Sequence, residues 1–387
     1  FVMVRLRRDL KGNNTAGAVL TTREDGDQYS RLVGADARFY HSGKYYVEVQ
    51  HVNSWTDAGS GSASGSFSNI SWDRTGRRWG FNYAVTAISD DFEAAAGFVN
   101  RTGVIDGHIY NRLSFYGEEG ALIETIGGFG GVARIWDYAD AGAGAIEGTE
   151  SIWPSATLRG GWRLNGSLNR NFFSYNPASY SGYDVVSSPS APFSEVFEIP
   201  ERETNQISGS IGVTTPTFQL FTLSLTTFRA QTPIFVEAAP GRSRSYTMVL
   251  DARPTSKIRA SFQMQHYTLT RKVDDTQYSK EIIPRLKVEY QLTPDIFIRL
   301  IGQIASRERS ALKDREGNLI RVDGELTTDS ESDEFRMDWL FSYRPNPGTL
   351  LYLGYGSTMD DAGQRRFEDL RRINDGFFLK LSYLFRV

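Results

Sequence analysis

The chain has no cysteine, so it can build neither a disulfide framework nor a thiolate metal site. It also has no uninterrupted apolar run of the about 20 residues that a membrane-crossing helix needs, and its mean hydropathy is -0.38. A helical membrane protein is excluded. Neither charge dominates: 43 Lys and Arg stand against 46 Asp and Glu, a formal -3. That balance does not advertise a nucleic-acid partner. The four histidines, His41, His51, His108 and His266, show no metal-ligand spacing, and nothing implies a cofactor. Helical 3.6-residue periodicity is scarce. Phe1 is followed by VMVRLRRD, without the basic start, apolar stretch and cleavage site of a signal peptide. Either a leader has been removed or Phe1 is not the native start.

What is abundant is aromatic residues and glycine: 24 Phe, 19 Tyr, 7 Trp and 37 Gly, a mixture that favours strands and tight turns. In the last segment Phe377, Leu379, Leu381, Tyr383, Phe385 and Val387 alternate with Phe378, Lys380, Ser382, Leu384 and Arg386. In a strand these two sets take opposite faces. The same two-residue rhythm recurs in Val2, Val4 and Leu6 against Arg5 and Arg7, and in Val33 to Phe39 against Asp36 and Arg38. It returns in Trp79 to Val85, Ile258 to Met264, Leu286 to Leu292 and Phe335 to Tyr343. These stretches approach the about 9 to 11 residues of a tilted membrane strand, where soluble strands average about 5 or 6. A terminal strand of a soluble sandwich would also show such alternation once, but not repeatedly at this length.

Less regular segments fill the gaps, among them 121–136, 155–165, 167–176 and 217–229. DFEAAAGFVNRTG (91–103) reads as one more strand or as a folded loop. Short turns fall at HSGK (41–44), DRTGRR (73–78), LNGS (164–167), TTPT (214–217), RPTSK (253–257), LTPD (292–295) and RPNPG (344–348), with the Pro, Gly, Asn and Asp that turns need. Longer polar connections are expected at 137–150, 177–202, 230–242, 307–332 and 358–374. The fold class expected is therefore all-β: a large antiparallel transmembrane β-barrel of about 18 to 20 strands, with short periplasmic turns and long extracellular loops. A count of about 19, set against the even number usual in bacterial barrels, leads to the expectation of further strands upstream of Phe1. Residues 1–387 are expected to be a single barrel domain.

GAVLTTRE (17–24), GADARFY (34–40), DFEAAAGFVNRTG (91–103) and NDGFFLKLSYLFRV (374–387) resemble a bacterial family of unknown function. Its members carry a domain similar to family 9 carbohydrate-binding modules ahead of a C-terminal barrel. The resemblance implies an outer-membrane barrel of Bacteroidota or related Gram-negative bacteria, preceded by a periplasmic sugar-binding-like domain and early strands. It brings no catalytic residues.

Arg5, Arg7, Arg38, Arg159, Arg163, Arg259, Arg285, Lys287, Arg299, Arg336 and Lys380 are assigned to the polar faces of their strands. An arginine facing lipid at mid-depth costs about 2 to 4 kcal/mol, so these side chains are expected in the lumen. There they line an anion-favouring pore, or else they pair with carboxylates of inward-folded loops as a polar filling. Trp79, Trp162, Trp339, Tyr343, Tyr355 and Tyr383 are assigned to the aromatic girdles at the membrane interfaces. IGGFGGVAR (126–134) lacks the helix and the Lys-Ser/Thr end of a phosphate loop and reads as a closely packed glycine-rich strand. DGELTTDSESDEF (323–335) reads as a solvated loop rather than a calcium site.

The function expected is a porin-like channel or transporter for small or oligosaccharide solutes. The alternative is a structural platform barrel in a larger outer-membrane assembly. The partners expected are outer-membrane lipids, lipopolysaccharide and other subunits of such an assembly, with no nucleic acid. No residue is singled out as catalytic, so the chain is read as a non-enzyme; a hydrolase in the barrel wall would need a Ser and a His within hydrogen-bond reach.

Overall fold

The computed structural model describes residues 1–59, 61–118, 120–191, 193–346, 348–361 and 370–384. Among them the helical turns are four short 3-10 turns, and 71% of the described residues are strand. The alternating segments form a 19-stranded sheet, within the expected range, and a separate 4-stranded sheet forms beside it. The chain divides into two compact units.

The first unit holds β1 (Val2–Asp9), β2 (Thr15–Asp25), β3 (Gln28–His41), β4 (Tyr45–Asp57), β5 (Ser62–Arg74), β6 (Trp79–Ile88), β7 (Val104–Tyr116) and β8 (Ile123–Asp137). Each pairs antiparallel with its sequence neighbour. Two further strands, β9 (Ala145–Leu158) and β10 (Trp162–Ser174), are shared between the units. The second unit carries β11 (Tyr183–Val186), β12 (Glu195–Val196), β13 (Arg202–Thr214), β14 (Phe221–Ile234), β15 (Ala239–Ala252), β16 (Ile258–Arg271) and β17 (Gln277–Thr293). It continues with β18 (Ile296–Arg309), β19 (Leu319–Val322), β20 (Glu325–Leu326), β21 (Ser330–Asn346), β22 (Thr349–Asp361) and β23 (Arg371–Ser382). From β13 to β18, and then β21 to β23, neighbours again pair antiparallel.

Register sorts the side chains. Directly paired residues share a face, so Val4, Leu20 and Val33 lie together, as do Val49, Ile70 and Val85. Leu20, Val33, Ile70 and Val85 are 42, 47, 53 and 47% exposed. In the second unit Leu286 and Leu300 on the corresponding face are 47 and 52% exposed. A water-soluble sheet would bury these rows; here the apolar face is the open one. In each unit the connections alternate. At one strand end they are no longer than six residues, as at 42–44, 75–78 and 253–257; at the other they reach 89–103 and 310–329.

Several expected boundaries are corrected. Residues 145–150, expected as loop, open strand β9, and 155–165 is broken by the turn at 159–161. The acidic AIEGTE start and Pro154 conceal this strand. The loop expected at 230–242 is mostly the β14–β15 hairpin: Pro233 pairs with Pro240 at its tip, where a missing N–H is tolerated. DFEAAAGFVNRTG contains no strand and folds back as a loop. Most of the acidic stretch 323–335 is in β20 and β21. Phe385, Arg386, Val387 and 362–369 lie outside the described residues. The glycine-rich β8 does pack closely, since a Cβ on Gly131 would sit 2.0 Å from the Ile109 carbonyl oxygen.

Candidate functional site

The strongest gathering of charge is on the polar face of β15 to β18 and β21 to β23. One paired row runs Arg259, Glu289, Arg299, Leu340, Gly354 and Phe378; the next holds Asp251, Ser261, Lys287, Ile301, Asp338 and Gly356; a third holds Gln263, Arg285, Gln303, Arg336 and Thr358. Lys380 follows on the same face, opposite Tyr352. Six of the expected lumen cations thus meet on one wall, with Asp251, Glu289 and Asp338 as the acids of these rows. Arg336 lies 3.3 Å from Asp338 and Lys287 lies 3.7 Å from Glu289. Among the described residues Arg259, Arg285, Arg299 and Lys380 have no carboxylate partner. Arg285, Arg299 and Arg336 converge on a cavity of about 610 Å³ whose wall also includes Asp338, Asn374 and Phe378.

The remaining cations behave differently. Arg5 is held by Asp36 at 2.5 Å, Arg38 by Glu48, and Arg7 approaches Asp9 at 3.6 Å. Their partners come from strands, not from the inward loops considered as an alternative. Arg163 opens β10 in an exposed position, and Arg159 is in the turn before it rather than on a strand face.

A second concavity belongs to the first unit. The backbone of the loop 89–103 presses on Gly65, where a Cβ would meet the Phe92 N and Cα at 2.3 Å. Glu93 N donates to Ser54 Oγ at 3.1 Å, and the Phe92 ring sits 5.9 Å from that of Phe67. Loop and wall enclose a cavity of about 680 Å³ lined by Val52, Phe67, Phe92, Phe98 and the Arg101–Glu147 ion pair. The sequence reading missed it. Its available signal was the apolar content of DFEAAAGFVNRTG, which a solvated loop would lack.

Loops of the second unit also fold. Strands β12, β11, β19 and β20 form the small sheet in that order, over a core of Tyr180, Val185, Val186, Phe197 and Ile320. It docks on the ends of the long strands through a buried pair, Glu237 and Arg271, 2.5 Å apart and 0 and 2% exposed. Lys313 N donates to Glu237 Oε1 at 2.9 Å, Arg271 to the Ala311 carbonyl at 2.7 Å, and Tyr180 to the Phe235 carbonyl at 2.7 Å. Burial pushes the Glu237 carboxyl above the usual carboxylate range despite Arg271. The Arg321 fork, at 2.6 and 2.9 Å, holds Asp184 below it.

Trp79 and Trp162 lie beside short turns, as does Tyr343, and Tyr383 follows the end of β23, the places expected for a girdle. Trp339 and Tyr355 lie in mid-strand, paired with each other and with Leu300 and Phe377. A further aromatic cluster by a short turn joins Trp72, Phe81 and Tyr83, with ring centroids 4.8 and 4.4 Å apart.

Long strands paired to their sequence neighbours, an apolar face left open and a charged face opposite decide the architecture. The fold is that of an outer-membrane β-barrel. No family model and no curated protein matches the chain. Among solved structures it is similar to OccK2 (OpdF) of Pseudomonas aeruginosa in complex with glucuronate, at 11% identity, 96% coverage of each chain and a TM-score of 0.42. It is also similar to a BenF-like porin from Pseudomonas fluorescens Pf-5, at 11% identity, 96% of this chain, 98% of that chain and a TM-score of 0.41. The FrpB iron transporter from Neisseria meningitidis aligns at 10% identity over 98% of this chain and 80% of that one, with a TM-score of 0.39.

Proposed function

We propose that the chain is a porin-like channel for small solutes that favours anionic or hydroxyl-rich ones. The observation that carries this reading is the wall of Arg259, Arg285, Lys287, Arg299, Arg336 and Lys380, four of whose members have no carboxylate partner among the described residues. Unneutralised cations along a pathway raise the local concentration of anions and lower their entry barrier. A purely structural filling would pair its charges, as Arg5 and Arg38 do.

A second reading, a gated or platform barrel, is favoured by the small sheet that the loops build in the second unit. Planar-bilayer conductance separates the two. The channel reading expects ohmic openings with an anion-shifted reversal potential under a salt gradient. In a variant with Arg285, Arg299 and Arg336 replaced by Gln, anion preference falls several-fold while the channel still opens. Folded protein that never conducts removes the channel reading and leaves the platform.

A further inference from the structure

Polar side chains on a face that meets hydrocarbon are costly, and by default they mark a site. On β4 and β5 the open face bearing Val33, Val49 and Ile70 also bears four such residues in a block: His51 opposite Ser68, and Asn53 opposite Ser66. Alternate residues point the other way: Val52, Ser54 and Gly65 are buried, with Phe92 against Gly65 and Glu93 N donating to Ser54 Oγ. His51 Nδ1 lies 2.8 Å from Ser68 Oγ, and its Nε2 lies 3.1 Å from the Asn53 side-chain amide. Amide oxygen and nitrogen are interchangeable in such an assignment. With the oxygen toward the ring, Nε2–H donates to Asn53 Oδ1 and the bare Nδ1 accepts the Ser68 hydroxyl proton. This is the relation of nucleophile, base and orienting group.

We propose that Ser68, His51 and Asn53 form a hydrolase site for acyl esters of membrane lipids, opening sideways to the bilayer. The proposal rests on that face meeting lipid and is independent of the channel reading. Along the open face of β4 run Tyr45, Val47, Val49, His51, Asn53 and Trp55. At about 3.3 Å per residue, His51 is about 13 Å along the strand from Trp55, on the side of the longer connections. Acyl chains of lipids packed on this face reach His51, and their ester groups lie toward Trp55, so an ester must dip along the strand to meet Ser68. Ser68 Oγ bonds to the acyl carbonyl carbon as its proton passes to His51 Nδ1. The carbon–oxygen bond to the lipid alcohol then breaks, and His51 returns the proton to that oxygen. Water, deprotonated by His51, then bonds to the acyl carbon; the bond from that carbon to Ser68 Oγ breaks, His51 returns the proton to Oγ, and a fatty acid leaves. One water is consumed and no oxidant or metal is needed. Asn53 holds the ring in the required tautomer, and Ser66 adds a hydroxyl on the same face.

The test uses the full chain refolded into bilayers, its folding verified by heat-modifiable gel mobility. Probes are a fluorophosphonate, an ester-linked phospholipid, lipid A, and an ether-linked phospholipid as the uncleavable control. Expected are labelling and fatty-acid release from an ester lipid but not from the ether lipid. Ser68→Ala is expected to lose both, and His51→Gln to lower release about 100-fold or more, the usual worth of a positioned general base. Ser71→Ala, whose side chain is buried on the opposite face of β5, keeps both. Release from phospholipid or from lipid A names the source of the ester. Folded wild type with no labelling and no release overturns the site, as does release unchanged within twofold in Ser68→Ala. Loss of a cross-linked dimer in the His51 variant, with no release from wild type, overturns it in favour of polar contact between copies.

Discussion

At the scale of single residues, the least forgiving pair is Glu237 and Arg271. Both ions are out of water, held by each other, by backbone groups of the 310–329 loop and, for Arg271, by the Thr276 hydroxyl. Removing one partner leaves a buried unpaired charge, an expense of about 3 to 5 kcal/mol. Arg271→Leu, which strips the buried Glu237 carboxylate and the Ala311 carbonyl of their partner, is therefore expected to release the small sheet locally. Faster hydrogen exchange at Ile320 and Val185, with β17 and β18 unchanged, is the readout; equal protection in both proteins would contradict it. This pair was not legible in the sequence. Glu237 sits in an apolar FVEAAP run and Arg271 34 residues later, and only the docked loop joins them. Arg5 and Asp36, by contrast, were readable as polar-face residues because the two-residue rhythm fixes which way each points.

Among the elements, the long strands were legible and their ends were not. Alternation over ten or more residues overdetermines a strand such as β21, whereas β9 begins in AIEGTE, whose acids read as loop. The small sheet was invisible because β12 and β20 are two residues long and are held by partners distant in sequence. Its acid response follows from its charges. Asp184 is held low by Arg321, so its contribution is complete above the ordinary carboxylate range of about 4 and is lost as pH falls through the lowered value. Glu237 has the opposite sign: its carboxyl is raised by burial, so protonation on the way down relieves that burial rather than loosening the fold. The sheet is expected to resist protease from neutral pH to about 5 and to become cleavable near 183–186 and 319–322 below about 4. Arg321→Ala is expected to be cleavable there already at neutral pH. Uniform resistance of both proteins down to pH 2 would remove the Asp184–Arg321 fork as the latch.

For the molecule as a whole, the governing claim is that the open apolar face of the 19-stranded sheet is covered by lipid. Leu286→Arg on that face is expected to cost about 2 to 4 kcal/mol of folding stability in bilayers, whereas Gln303→Arg on the polar face costs little. The most direct measurement exploits the absence of cysteine. Single cysteines placed one at a time at 285, 286, 300 and 303 carry a nitroxide, and its relaxation by oxygen and by a water-soluble nickel chelate is read in the folded, membrane-inserted protein. The account predicts that labels at 286 and 300 are relaxed by oxygen and shielded from nickel, with the reverse at 285 and 303. Labels at 286 and 300 that see nickel as freely as those at 285 and 303 would contradict it.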